Sequence, residues 1–430
     1  MATDELLDQL HAWLESNWDA DLTVAQWWER LGQSGWAAPT LPHNAFGKEL
    51  SRSDSVRVAN KIATFGALPA PGGLGMLLAA PTIATHGSQE QIDTFVRDIV
   101  TGQRAWCQLF SEPGAGSDLA GLNAKAMQDG DEWIINGQKV WTSSGHYADL
   151  GMLLARTNPE APKHQGITYF GIEMAQPGIE IRPLKEMTGH AMFNEVFLTD
   201  ARVSGASMIG AKNNGWAVAN TTLMFERSGL SAGGGGAQSL ALAGTIAGHL
   251  DMRAGEFVPK PGATGAAAGG PRAAGFKGLV HYARKNGSIK NATIRQQLAE
   301  LHTLNEIGRF NNERVKAARS VGKEIPGMAN IGKLSMSNIV RLQRDLGLRI
   351  LGPLGTLHGY TDEQRRSLEA VTGDSGLAGV TEAALYAQAP PIYGGTDQIQ
   401  KNIIGERVLG LAKEPGNDAK VPFSTLPKNG

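Results

Sequence analysis

The chain has 430 residues, and its 40 Lys and Arg side chains nearly balance 41 Asp and Glu side chains. This balance provides no overall field that would recruit nucleic acid or an anionic membrane surface. With 41% hydrophobic residues, the composition excludes a fibrous or disordered chain, and the length allows two or three packed units.

Cysteine content and the N-terminus bear on the cellular compartment. The single cysteine, Cys107, rules out a disulfide within the chain and leaves no cysteine cluster for zinc or an iron–sulfur centre. The first six residues are acidic and amphipathic, whereas a secretory signal is basic and then apolar. No apolar run approaches the roughly 20 residues that a membrane helix needs. We expect a cytoplasmic protein with no metal site.

Residues 1–104 are predicted to form an N-terminal helical domain. Apolar residues recur there at three- and four-residue steps, which is the period of one helix face. They are Leu6, Leu7, Leu10 and Leu14, and later Ile92, Phe95, Val96 and Ile99.

Residues 105–210 are predicted to form an antiparallel sheet domain. Short apolar or alternating runs occur at residues 132–135, 152–156, 167–172 and 196–198, separated by Gly, Pro and Asn. Between two such runs, Asn136-Gly137 is a strong signal for a two-residue hairpin turn.

Residues 211–430 return to helical patterns, most clearly at 294–309 and 331–351. A stretch rich in Gly, Ala and Pro at 262–275 interrupts them and is predicted to be a mobile surface loop. Helices, a sheet and helices in one chain indicate an α+β protein with three domains.

Two segments of the middle region combine glycine-rich turns with hydroxyl groups. Residues 110–120 read FSEPGAGSDLA, and residues 136–145 read NGQKVWTSSG. Small residues between Ser111 and Ser117 let backbone amides approach a flat ligand. The second segment adds an indole and three hydroxyls. Together they describe a cofactor edge held by backbone and hydroxyl groups.

This pair of motifs resembles the acyl-CoA dehydrogenase family over roughly residues 20–412. Further matches follow in the family's order at residues 187–190, 215–216 and 393–410. The resemblance implies the acyl-CoA dehydrogenase fold, with an N-terminal helical domain, a central antiparallel β-barrel-like domain and a C-terminal four-helix bundle. It also implies FAD as the cofactor and an acyl-CoA thioester as the substrate.

Removal of an α-proton and a β-hydride from a thioester needs a carboxylate base on one face of the acyl chain and the flavin on the other. In the short- and medium-chain branches the base is a Glu between Tyr and Gly-Thr. Here Gly394 stands at that position, after Tyr393. The resemblance implies that the Gly394 amide still donates to the thioester oxygen.

The isovaleryl and long-chain branches place the base on an earlier helix, directly before an Arg. This chain has Glu226-Arg227 there, and Glu226 is the predicted base. The alternative is that Glu226 pairs with a cation on an exposed helix face. Asp397 is the competing carboxylate near the C-terminus.

Cofactor contacts follow from the matching family positions. For Trp141 the alternative is a side chain buried in the protein core. For Arg284 the alternative is a solvated side chain, because the family's Phe-Gly after that Arg is missing. Arg349 stands where the family has a Gln that contacts FAD from a neighbouring subunit. An Arg at this position could bind phosphate better than Gln would. The predicted FAD-binding residues are Gln108, Phe110, Ser111, Ser117, Trp141, Ser143, Arg284, Arg349, Thr396 and Gln398.

For the substrate, the resemblance implies contacts from Ser117, Arg227 and Tyr393. A run of glycines at residues 233–236 lies in a segment expected to be helical, where each Gly costs up to about 1 kcal/mol relative to Ala. Close helix packing is one explanation. The other is room for a wide or branched acyl group.

Partners also follow from the family. Electrons would pass to an electron-transfer flavoprotein, and the chain would assemble as a homo-oligomer, a dimer of dimers. An acyl-CoA oxidase of the same fold and a non-catalytic subunit of a hetero-oligomer are the alternatives. No P-loop and no Gly-x-Gly-x-x-Gly turn after a strand competes as a phosphate site.

Overall fold

The computed structural model describes residues 3–231, 239–259, 275–413, 415–416, 418 and 420–427. The glycine run at 233–236 and residues 262–274 of the predicted loop at 262–275 lie outside the described residues. The chain forms two compact units, one of Met1–Leu184, Ala191–Ala267 and Gly416–Gly430, the other of Lys185–His190 and Ala268–Pro415.

Helices make up the N-terminal part of the first unit, as predicted. They are α1 Thr3–Asn17, α2 Val24–Gln33, α3 Arg52–Phe65, α4 Ala80–His86, α5 Gln89–Gln91 and α6 Arg97–Val100. A π-helical turn, Ile92–Val96, joins α5 to α6. On α1 the predicted apolar face is buried at Leu6, Leu10 and Leu14.

Strands form one sheet in the same unit. They are β1 Trp106–Leu109, β2 Lys125–Asp129, β3 Glu132–Ser143, β4 Leu150–Arg156, β5 Ile167–Glu173, β6 Ile179–Leu184, β7 Phe193–Ser204 and β8 Met208–Ile209. The order is β6-β7-β3-β2-β4-β5-β8, with β1 paired to β4. Most pairs are antiparallel, but β1–β4 and β2–β4 are parallel, and the sheet of described strands is open rather than a closed barrel.

The predicted hairpin at Asn136-Gly137 is wrong. β3 runs straight through these residues, and the turn from β2 to β3 lies earlier, between Asp129 and Glu132. A register shift in the pairing with β7 falls between Ile135 and Gly137. A Cβ on Gly137 would lie 2.7 Å from the Ala124 Cα, so the glycine allows a close approach of two chain segments instead of a turn.

Helix α7, Gly215–Ser231, packs on this sheet. Three hydroxyls from different elements meet beneath it: Thr222 Oγ1 lies 3.0 Å from Thr82 Oγ1 of α4 and 3.4 Å from Tyr169 Oη of β5. Thr222, Thr82 and Tyr169 are fully buried. This contact fixes which face of α7 is turned toward the sheet.

The second unit is helical, as predicted, and its helices are α8 Phe276–Lys285, α9 Ala292–Ser320, α10 Met328–Leu351, α11 Asp362–Thr372, α12 Leu377–Tyr386 and α13 Asp397–Ile403. α9 and α10 contain the two clearest predicted segments. One core is shared by α8, α9, α10 and α12, represented by Leu279, Leu298, Leu346 and Val380. No helix in the described part of the chain is both long and apolar enough to cross a membrane.

Candidate active site

Glu226 lies on α7, one helical turn after Thr222, so both side chains project from the same helix face. That face is turned toward the sheet, and Glu226 is partly buried. Gln108 of β1 places its Nε2 3.5 Å from Glu226 Oε2, the outer limit of a hydrogen bond. The carboxylate therefore lies beside the strand that leads into the first motif.

Burial raises the pKa of the Glu226 carboxyl above its ordinary value, while the bond from Gln108 and the charge of Arg227 lower it in part. Leu223 and Phe225 pack against the core, whereas Met224 is 49% exposed. The alternative of a solvated ion pair on an exposed face does not fit this burial. A carboxyl group with a raised pKa at a partly enclosed position is suited to accept a proton.

Trp141 lies in a β-bulge near the end of β3. The pairing with β7 shifts by one residue between Lys139↔Val196 and Thr142↔Asn194, so β3 carries the extra residue. Trp141 takes the left-handed conformation, with φ of 62°, and its side chain is 60% exposed. The core alternative for Trp141 does not fit this exposure, and the Phe193 ring lies edge-on to the indole.

The two motif segments are bonded to each other. The Val140 amide donates to the Ser111 carbonyl at 2.9 Å. The ammonium of Lys139, which is fully buried, donates to the Phe110 carbonyl at 3.1 Å and to Glu112 Oε1 at 2.8 Å. Phe110 is buried and Ser111 is partly buried, so the main chain of the first motif is held against β3.

Ser117 is exposed in the loop that follows, and Ser143 is partly buried at the end of β3. The loop is anchored from below by Arg156, a buried guanidinium that donates to the carbonyls of Ala120 and Leu122. Phe423 from the C-terminal segment lies 3.6 Å from the Arg156 guanidinium carbon across its ring face. Burial lowers the pKa of Arg156 to about 10.

In the second unit, Tyr393 begins a tight turn before α13. Gly394 and Gly395 both adopt left-handed conformations, with φ of 61° and 80°, which favour glycine. The buried side chain of Gln400 donates to the carbonyls of Gly394 at 3.0 Å and Gly395 at 3.3 Å. Burial raises the pKa of Tyr393, whose hydroxyl lies 2.5 Å from that of Tyr386.

Thr396 is the N-cap of α13, and its hydroxyl accepts from the Ile399 amide at 3.1 Å. Gln398 follows in the first turn and is exposed. Arg284, at the end of α8, is exposed and makes no ion pair with a described residue. Arg349 is exposed on α10 and donates to Gln297 Oε1 at 2.7 Å. Asn286 Nδ2 donates to the Ile350 carbonyl at 2.6 Å, so these two arginines lie at adjoining helix ends.

Asp397 is a structural carboxylate. It is 7% exposed and accepts from Ser337 Oγ at 2.7 Å, Lys333 Nζ at 3.2 Å and an Arg341 nitrogen at 2.9 Å. Burial alone would raise the pKa of Asp397, but the bonds from Ser337 and Lys333 hold it below its ordinary value. A carboxylate held ionised by these donors is a poor proton acceptor, which argues against Asp397 as the competing base.

Sequence reasoning missed the buried polar groups that hold these segments: Lys139, Glu112, Arg156 and Gln400. For Lys139 a signal was present, because it continues the alternating positions of Trp133 and Ile135 on the buried face of β3. A lysine at such a position is almost never buried without a partner.

Three profiles of one family match the chain in order: acyl-CoA dehydrogenase N-terminal domain at residues 1–103, middle domain at 107–201 and C-terminal domain at 262–409. Among curated proteins, acyl-CoA dehydrogenase IpdE1 of Mycobacterium tuberculosis is 33% identical over 412 residues, 95% of this chain and 90% of that protein. Acyl-CoA dehydrogenase FadE34 of the same organism is 36% identical over 388 residues, 89% of this chain. The matched part is 46% of FadE34.

Among solved structures, the ChsE4-ChsE5 complex from Mycobacterium tuberculosis superimposes with a TM-score of 0.65 at 24% identity, covering 96% of this chain and 98% of the other. This likeness supports the fold. The sequence identity to IpdE1 over nearly the whole of both chains indicates common descent. The chain belongs to the acyl-CoA dehydrogenase family.

Proposed function

We propose that this chain is an FAD-dependent acyl-CoA dehydrogenase that converts an acyl-CoA thioester to the trans-2-enoyl-CoA. Glu226 would remove the α-proton, and bound FAD would supply the acceptor for the β-hydride. The observation that carries the proposal is the partly buried Glu226 carboxyl beside Gln108, with its pKa raised by burial. Membership of the acyl-CoA dehydrogenase family indicates the reaction class. The surroundings of Glu226 support this residue as the base.

The residues of the first unit fit a flavin. Trp141 offers an exposed indole, and no described residue accepts from the Ser111 amide. Ser143 and Ser117 add hydroxyls at the same two segments, and Gln108 and Phe110 are proposed to contact the flavin as well. In the second unit Thr396, Gln398, Arg284 and Arg349 are proposed to hold the remainder of FAD. An aromatic plane with amide and hydroxyl donors is the donor set that a flat heterocycle needs.

Proton transfer places distinct demands on the chain's own residues. Glu226 must be ionised to take the α-proton, which ends on its carboxylate oxygen. Arg227 lowers the pKa of Glu226 and is proposed to orient it or to contact the CoA moiety. Tyr393 is proposed to contact the acyl group, and the Gly394 amide to donate to the thioester oxygen as charge develops there.

The pH dependence of flavin reduction should reveal the base. Because the pKa of Glu226 is raised, the rate should fall on the acid side at a higher pH than an ordinary Glu would give. Gln108→Leu removes the hydrogen bond that lowers this pKa, so the acid limb should move to still higher pH. Stopped-flow flavin reduction across the pH range measures both. An unmoved limb in Gln108→Leu would contradict the assignment.

A panel of acyl-CoA thioesters tests the reaction class. Anaerobic mixing with the holoprotein should bleach the visible absorbance of the flavin for at least one thioester. The bleached enzyme should then pass its electrons to an electron-transfer flavoprotein and react slowly with oxygen. Fast reoxidation by oxygen would favour the oxidase instead. No bleaching by any thioester would favour the non-catalytic subunit.

Assembly is proposed to be a homo-oligomer, a dimer of dimers. The name of the ChsE4-ChsE5 complex indicates two different proteins in that assembly, so a hetero-oligomer is the second candidate. Light scattering of the purified chain distinguishes the homo-oligomer from the hetero-oligomer. A tetramer of this chain alone, with bound flavin, would need no second protein. The division into domains at 1–104, 105–210 and 211–430 remains a prediction that the family segments support.

A further inference from the structure

Lys139 is a fully buried charge at the centre of the two motif segments. Its ammonium contacts the Phe110 carbonyl and the Glu112 carboxylate, which is itself 7% exposed. The carboxylate also accepts from the amides of Asn123 at 2.6 Å and Ala124 at 2.9 Å. Burial lowers the pKa of Lys139, while Glu112 opposes that shift. Apart from the bond between them, the hydrogen bonds that the two side chains make with described residues therefore go to the first motif or to residues 123–124 just after it.

Burying two charges is costly, and an apolar pair of similar volume often serves stability as well. The groups that the ammonium contacts provide a reason other than stability. Lys139 and the Val140 amide bond to consecutive carbonyls, those of Phe110 and Ser111. Two successive peptide units of the first motif are thereby oriented by two successive residues of the second.

The orientation has a consequence for the Ser111 amide. In a planar trans peptide the carbonyl and the following N–H point in opposite directions. Because the Phe110 carbonyl points to Lys139, the Ser111 N–H points away from it. No described residue accepts from that N–H. Trp141, two residues beyond Lys139, presents its exposed indole from the same strand.

We propose that Lys139 is a positioning residue for the flavin: with Glu112 as its anchor, it aims the Ser111 amide at the cofactor and sets the spacing between that amide and Trp141. The inference rests on the proposed function, since it assumes that FAD lies between the two segments. A positioning role makes the affinity for FAD depend on the Lys139 ammonium, whereas a purely stabilising role does not.

Lys139→Met keeps most of the side-chain volume and removes the ammonium. Its apoprotein should bind FAD at least about tenfold more weakly, measured by titration of flavin fluorescence well below the melting temperature of each variant. Val203→Ala is the matched control, because Val203 is buried in the same sheet and pairs with Trp133, which lies outside both segments. It should lower the melting temperature and leave the Kd for FAD within about twofold.

Two further measurements decide the matter if Lys139→Met does not fold. Glu112→Gln loosens the anchor and should raise the Kd for FAD at least about threefold. In the wild type, hydrogen exchange of the peptide that contains the Ser111 amide should slow on binding FAD. Failure of both, or a Kd that merely follows melting temperature across all variants, would overturn the inference. A wild type that binds no FAD would overturn the proposed function as well.

Discussion

Replacing Glu226 with Gln is expected to slow reduction of the bound flavin by acyl-CoA at least about a hundredfold, the low end of what removal of a general base costs. The amide keeps the shape of the side chain and its reach toward Gln108 but cannot take up the α-proton. Anaerobic stopped-flow absorbance with the best thioester of the panel measures the rate constant directly.

Stability provides the first control for Glu226→Gln. Burial raises the pKa of Glu226 in the folded protein, so this group adds stability below its ordinary pKa of about 4.3 and loses it as pH rises through the raised value. At neutral pH the ionised carboxylate is a cost, and the Gln variant should unfold with an equal or larger free energy. A slow variant that is also stable has lost chemistry and not structure.

Glu300→Gln is the matched control, because Glu300 is an exposed residue of α9. Its rate constant for flavin reduction should equal that of the wild type. If Glu226→Gln reduces its flavin at a rate close to that of Glu300→Gln, Glu226 is not the base and its burial is structural.

The architecture was predictable because it depends on the spacing of apolar residues. Leu6, Leu10 and Leu14 are buried at the predicted period, and the two clearest helical patterns of the C-terminal region fall within α9 and α10. Periodicity reports which residues leave water, and that decides helix or strand before any partner is known. The position of Glu226 on a helix followed from the family resemblance, and α7 agrees with it.

Asn136-Gly137 shows where local signals fail. The dipeptide favours a hairpin in isolation, but pairing of β3 with both β2 and β7 continues the strand through it. Asn136 instead exchanges two hydrogen bonds with Asp200, at 2.8 Å and 3.0 Å. These bonds form between residues far apart in sequence, so no local preference could reveal them.

Trp141 and Lys139 show a second limit. Alternation along a strand predicts which side chains share a face, but the bulge between Lys139 and Thr142 reverses that rule for Trp141. Lys139 lies on the buried face by strand alternation, but its ion-pair partner Glu112 is on another segment. Buried polar contacts of this kind depend on tertiary structure. The sequence therefore predicted candidate residues of the site but not the hydrogen bonds and ion pairs between them.

Asp397 and Glu226 are both shielded carboxyls, yet their surroundings differ in the sign of the pKa shift. Within the described part of the chain, the Glu226 carboxyl accepts one long hydrogen bond, from Gln108, and burial dominates its pKa. Asp397 has donors from Ser337, Lys333 and Arg341, and their attraction exceeds the effect of burial. A base requires the first arrangement and a structural ion pair the second, so the donors around a carboxylate decide between the two roles.

Asp397→Asn is therefore expected to lower the free energy of unfolding by about 3 kcal/mol, because it leaves the Lys333 ammonium, whose side chain is only 10% exposed, without this counter-charge. Urea unfolding at neutral pH measures the loss. The depressed pKa of Asp397 means that its stabilisation is full above its ordinary pKa of about 3.9 and is lost as pH falls through the lower folded value. The difference between wild type and variant should accordingly persist at pH 5 and shrink in stronger acid. The rate of flavin reduction by the folded variant should fall far less than the hundredfold expected for Glu226→Gln. If the variant is as stable as the wild type at neutral pH, the ion pairs of Asp397 do not hold α13.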